Sequence, residues 1–91
     1  MIAYERTTLA NGLTVAVNRD RASKLAAVNI LYKVGARNEN PARTGFAHLF
    51  EHLMFRGTRE VPNFDLPVQM ASGDNNAFTN NDYTDFYITL P

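Results

Sequence analysis

Both histidines of this 91-residue chain stand four positions apart, His48 and His52, with Glu51 directly before the second. An α-helix turns about 100° per residue, so His52 lies about 40° around from His48 and Glu51 about 60° to the other side. All three side chains then fan over one helical face, and two imidazole nitrogens can converge on a single ion. Zinc suits neutral imidazole, and a catalytic zinc takes three protein ligands and one water. The metal acidifies that water, and a neighbouring carboxylate can take its proton. Glu51 is placed for that role. The competing reading is a solvated helix face on which Glu51 is an ordinary ion-pair partner of the histidines. The setting favours the ligand set, because the motif lies inside an amphipathic helix that follows a strand and a loop.

The elements that must position these residues are legible as periodicities. In "FAHLFEHLMFRG", Phe46, Leu49, Phe50, Leu53 and Met54 recur at three- and four-residue spacing, which predicts an apolar stripe. Thr44 is the expected N-cap, Arg56 suits the negative end of the helix dipole, and Gly57 is the expected stop. Upstream, Asn11-Gly12 predicts a two-residue hairpin turn between residues 4–9 and 13–18. In its second arm Leu13, Val15 and Val17 alternate with polar or small residues, as in a strand buried on one face. A third strand carries Val28, Ile30, Tyr32 and Val34 on one side and closes at Gly35, followed by the polar loop "ARNENPART". Downstream, a short helix is expected over about 66–72, capped by Asp65, with "SGDNN" breaking the chain after it. Two strands, "NAFTN" and "TDFYITL", finish the sequence. Three strands, two helices and two strands predict an α+β fold, an antiparallel or mixed sheet with helices on one face.

Bulk composition narrows the function. Nine basic and nine acidic residues cancel, which argues against a nucleic-acid or anionic-membrane surface. No apolar run approaches the length of a membrane span. The start "MIAYERTT" lacks the pattern of a signal peptide, so either the chain is cytoplasmic or a leader has been removed, as for a periplasmic protein. There is no cysteine, hence no disulfide and no thiolate metal site.

Three blocks in order, "VGARNE", the H-x-x-E-H helix with its "FRGT" exit, and "NAFT" followed by Asp82-Tyr83-Thr84, carry a resemblance. From about Leu9 to Pro91 the chain resembles the N-terminal part of the catalytic domain of the pitrilysin, insulysin and mitochondrial processing peptidase family, the inverzincin zinc metallopeptidases. The resemblance implies a zinc-dependent metalloendopeptidase, with His48 and His52 as zinc ligands and Glu51 as the base that activates water. It implies that Asn76 and Ala77 lie on an edge strand that binds a peptide or protein substrate as an added strand. It also implies a third ligand, a glutamate on a later helix beyond Pro91, and a homologous second domain or subunit. Residues 1–91 are therefore expected to be an incomplete catalytic domain, truncated from a processing-peptidase-like fold and inactive in isolation. As a piece it should expose apolar surface and strand edges. The alternative on the same scaffold is a non-catalytic peptide-binding or assembly subunit. Asp82, Tyr83 and Thr84 are expected to shape a hairpin, and Gly73 and Asp74 a turn.

Overall fold

The computed structural model describes residues 2–91. Strands β1 (Glu5–Thr8) and β2 (Thr14–Val17) pair antiparallel as a separate two-stranded ribbon, with Glu5 opposite Val17 and Thr8 opposite Thr14. The hairpin turn is not the expected two-residue type. Gly12 N–H donates to the Leu9 carbonyl, and only Gly12 takes a positive φ, 88°. That is a three-residue loop closed by one left-handed glycine, which relieves Asn11 of any unusual conformation. The Asn11 side chain instead accepts from Leu13 N–H.

The main sheet has the order β3-β5-β4, built from β3 (Ala26–Tyr32), β4 (Asp74–Thr79) and β5 (Thr84–Leu90), all antiparallel. The expectation of an antiparallel or mixed sheet thus resolves to a fully antiparallel one. β5 is flanked on both sides, Ile30 and Ala77 both lying opposite Phe86, and it is accordingly the best-buried strand. β4 starts two residues earlier than the sequence suggests. Only Ser72 and Gly73 make the break, while Asp74 and Asn75 are already in the strand. The turn from β4 into β5 is organised by Asn80, whose side chain accepts from the N–H groups of Asp82 and Tyr83.

Helix α1 (Phe46–Phe55) and helix α2 (Asp65–Met70) pack on one face of this sheet. Phe55 contacts Phe86 of β5 and Phe64, with ring centroids 6.3 Å apart in both cases. α2 is capped by Asn63, not Asp65: the Asn63 side chain accepts from Asp65 and Leu66 N–H. Asp65 is the first helical residue and accepts from the Asn75 side chain, joining α2 to β4. Pro67 is tolerated because the first turn needs no intrahelical donors.

The burial expected from the strand patterns is not found. Leu13, Val17, Val28, Ile30, Tyr32 and Val34 are all exposed, and Val68, still 7% exposed, is the only buried apolar side chain among the described residues. The accessible surface is 7936 Å², whereas a compact folded chain of this mass exposes about 5,300 Å². The Cα radius of gyration is 15.5 Å, against about 12 Å for a compact domain of this length. Alternation in a sequence reports which face a residue occupies and says nothing of what lies over that face. No helix among the described residues is long and apolar enough to cross a membrane. The excess surface, on the order of 2,600 Å², matches the area that obligate interfaces bury. The purified 91-residue chain is therefore expected to self-associate with rising concentration in sedimentation or light scattering. A strict monomer at high concentration would contradict this account.

Candidate functional site

α1 is held at its start by a residue that local sequence does not single out. Thr44 makes no cap, and the N-cap position is Gly45, with φ 92° and no capping side chain of its own. The Glu39 carboxylate reaches forward from the preceding loop instead, accepting from Gly45 N–H at 2.6 Å and from Ala47 N–H at 2.7 Å. A carboxylate there satisfies orphan donors and opposes the positive end of the helix dipole. The bonds from Ala47 and Gly45 lower the Glu39 pKa below its ordinary 4.5. The loop itself is fixed at Gly35, which is buried. A Cβ there would sit 2.4 Å from the Asn80 carbonyl oxygen. That close approach lets Ala36 N–H and Arg37 N–H donate to the carbonyls of Asn80 and Asn81. An Arg37–Asp82 ion pair at 3.0 Å adds to the same junction. At the far end Gly57, φ 88°, stops the helix as expected.

The line of α1 that meets the sheet is Ala47, Glu51 and Phe55, at i, i+4 and i+8. Of the apolar stripe, Phe50 and Met54 border this seam while Phe46, Leu49 and Leu53 lie outside it, and all five remain exposed, Phe50 by 60%. Glu51 lies in the middle of the seam and is only 8% exposed. Its Oε2 accepts from the hydroxyl of Thr79, the last residue of β4, at 2.5 Å. A cavity beside it is lined by Tyr32, Val34, Ala47, Phe50, Met54, Thr84 and Phe86.

His48 and His52 sit one step around the helix, exposed to solvent. Their rings lie 4.5 Å apart between centroids, and the two Nε2 atoms are 2.7 Å apart. Two lone pairs cannot face each other at that distance, so a proton on one ring must lie between them. A cation can take the place of that proton. Zinc bonds imidazole nitrogen at about 2.0–2.1 Å, and a tetrahedral angle sets two such nitrogens about 3.3–3.4 Å apart, so the pair needs to part by roughly 0.6–0.7 Å to share it. The two donors thus fit a zinc ion. No third His, Asp or Glu joins them among the described residues. Glu51, with its carboxylate turned to β4, is not part of that ligand pair.

Asn76 and Ala77 lie in the middle of β4, whose outer edge has no partner strand among the described residues. Asn76 is on the face away from the helices and its side-chain oxygen accepts from Ala77 N–H at 2.8 Å, while Ala77 faces them. Two polar groups escaped the sequence reading. Thr79 was only part of the strand "NAFTN", and nothing local ties it to a helix 28 residues earlier. Asp85, on β5, is 5% exposed; its Oδ2 accepts from Asn29 at 2.8 Å, and its buried Oδ1 has no partner.

The sequence pattern of the insulinase family (peptidase family M16) matches residues 14–91. The zinc protease PqqE of Helicobacter pylori is 40% identical over 88 residues, spanning 93% of this chain and 20% of that protein. The β subunit of the mitochondrial-processing peptidase of Blastocladiella emersonii is 36% identical over 86 residues, 92% of this chain and 18% of the subunit. Among solved structures, a protease from Helicobacter pylori superposes with a TM-score of 0.92 at 37% identity, over 99% of this chain and 22% of that one. Pitrilysin superposes at 0.86 and 27% identity, over 98% and 10%. The chain spans about a fifth of the length of the first of these relatives.

The Glu39 cap gives a pH test. Because its folded pKa is lowered, its stabilising effect is full above the ordinary value of 4.5 and is lost as pH falls through the lowered value. The amide proton resonances of Gly45 and Ala47 should shift together in that acid window. In Glu39→Gln they should stay flat there, and its thermal midpoint at neutral pH should be lower than the parent's.

Proposed function

This chain belongs to the insulinase family, peptidase family M16, a family of zinc metallopeptidases, and from that premise we propose that it carries the catalytic helix of a zinc-dependent metalloendopeptidase. The observation that supports this most directly is the meeting of the His48 and His52 Nε2 atoms on one exposed face of α1. His48 and His52 hold the metal as neutral imidazoles. Zinc, when bound, supplies Lewis acidity toward the scissile carbonyl and the attacking water. Glu51 takes the proton of that water and passes it to the departing amine. Glu51 stands directly before His52 on α1 and is only 8% exposed against the sheet, which fixes the carboxylate beside the histidine pair.

The substrate is a peptide or protein lying along the open edge of β4. The open edge of β4 at Asn76 and Ala77 pairs with it as an added strand, and the Asn76 side chain offers both a donor and an acceptor. Residues 1–91 serve as the N-terminal part of the catalytic domain. The third ligand, a glutamate, lies beyond Pro91, and a homologous second domain or subunit closes over the substrate. Two histidines alone hold zinc weakly, so the isolated 91-residue chain should not turn over. A non-catalytic peptide-binding or assembly subunit would use the same strand edge and have no need of Glu51.

In the full-length protein, His48→Ala and His52→Ala should each lose bound zinc on elemental analysis. Glu51→Gln should keep its zinc and lose hydrolysis by about 10²–10⁴-fold, the usual share of a general base. Unchanged hydrolysis by Glu51→Gln rejects the base assignment. A parent protein that binds peptide without cleaving it supports the assembly role. Zinc-dependent cleavage by the purified 91-residue chain would overturn the claim that further ligands are required.

A further inference from the structure

We propose that Thr79 is a positioning residue for Glu51, tying the general base to the strand that takes the substrate; this rests on the function proposed above. A buried carboxylate without a donor is unfavourable, and the donor given to Glu51 is the Thr79 hydroxyl, 2.5 Å from Oε2. That distance is typical of a hydroxyl donating to an ionised carboxylate. Proton accounting fixes its direction. Thr84 Oγ1 lies 3.4 Å from Thr79 Oγ1, but the single Thr84 proton goes to the Val34 carbonyl at 2.9 Å. Thr84 therefore cannot donate to Thr79, and the Thr79 proton goes to the nearer, charged acceptor.

Two consequences follow for the reaction. Oε2 is held by Thr79, and Oε1, which takes no hydrogen bond from the described residues, is left to accept the proton of water. Thr79 also stands two residues from Ala77 and three from Asn76 on β4. A peptide that adds to the β4 edge orders the strand whose last residue holds the base. Substrate arrival and base alignment are then one event, so Thr79 acts on turnover more than on affinity.

The test uses Thr79→Val, which keeps the side-chain shape and removes the donor, and Thr79→Ser, which keeps the donor. In the full-length enzyme, Thr79→Val should lower kcat about 10- to 100-fold, the range for losing a hydrogen bond to a charged group. Its KM and zinc content should stay near the parent's. Thr79→Ser should restore kcat to within about threefold. In the metal-free protein, Thr79→Val should speed amide exchange both at the Glu51 turn of α1 and at the end of β4, and Thr79→Ser should not. If Thr79→Val does not fold, Thr79→Cys replaces it, a weak S–H donor whose kcat should fall between the Ser and parent values and the donor-free limit. Parental kcat in Thr79→Val beside an inactive Glu51→Gln overturns this role and leaves the proposed function standing. Equal losses in Val and Ser also overturn it, since packing would then account for both. An active Glu51→Gln enzyme removes the base assignment and, with it, the role of Thr79, while the metallopeptidase reading stands on its own zinc and cleavage tests.

Discussion

Helix α1 must show two imidazoles to water while seating the glutamate between them against a sheet, and the rest of the structure serves that constraint. Helical geometry makes it possible, because Glu51 is about 100° from His52 and so falls around the side of the helix. The seam then contains a charge where a helix normally buries an aliphatic side chain. Thr79 answers that charge, and Ala47 and Phe55 close the seam above and below it. The small Ala47 lets the helix approach, and Phe55 supplies the apolar anchor against Phe86. Without a donor from β4, Glu51 would be a buried anion with nothing to balance it.

Fold and site were legible in the sequence to different depths. β5 was readable to the residue, Thr84–Leu90, because Phe86, Ile88 and Leu90 alternate cleanly. α1 was readable from its period and from Gly57. What failed were statements that need a partner distant in sequence. Thr44 looked like a cap because serine and threonine usually are, yet Glu39, six residues before Gly45, arrives through a loop whose path no periodicity encodes. Asp65 yielded to Asn63 by the same mechanism on a smaller scale. The apolar stripe of α1 was legible as apolar, and the spacing left open which line of the helix meets the sheet. Phe46, Leu49 and Leu53 are exposed, and the helix turns its Ala47–Glu51–Phe55 line to the sheet instead.

The histidine pair was legible as chemistry because spacing on a helix is itself geometry. That geometry is the convergence of the two rings, whose Nε2 atoms stand 2.7 Å apart. Glu51 needed tertiary structure, since spacing puts it near the histidines without saying which neighbour its carboxylate chooses. Asp85 was legible only as a strand residue, and its unpartnered Oδ1 emerges from the packing of β3 and β4 around β5. The long exposed faces of β3 and α1 have a common cause. A sheet of three strands and two short helices cannot enclose both sides of itself, so apolar residues correctly patterned for a core remain at the surface.

Gly35 deserves its place at the start of this chain of contacts. Its missing side chain allows the backbone of one loop to rest directly on the tip of the β4–β5 hairpin. Four residues later the same loop delivers the carboxylate that grips the first turn of α1. Even a methyl group at position 35 would act as a wedge under a lever, lifting the loop from the hairpin and dragging the helix's leading end with it. The alignment of the two imidazoles is thereby subject to the thickness of a single atom placed well outside their reach.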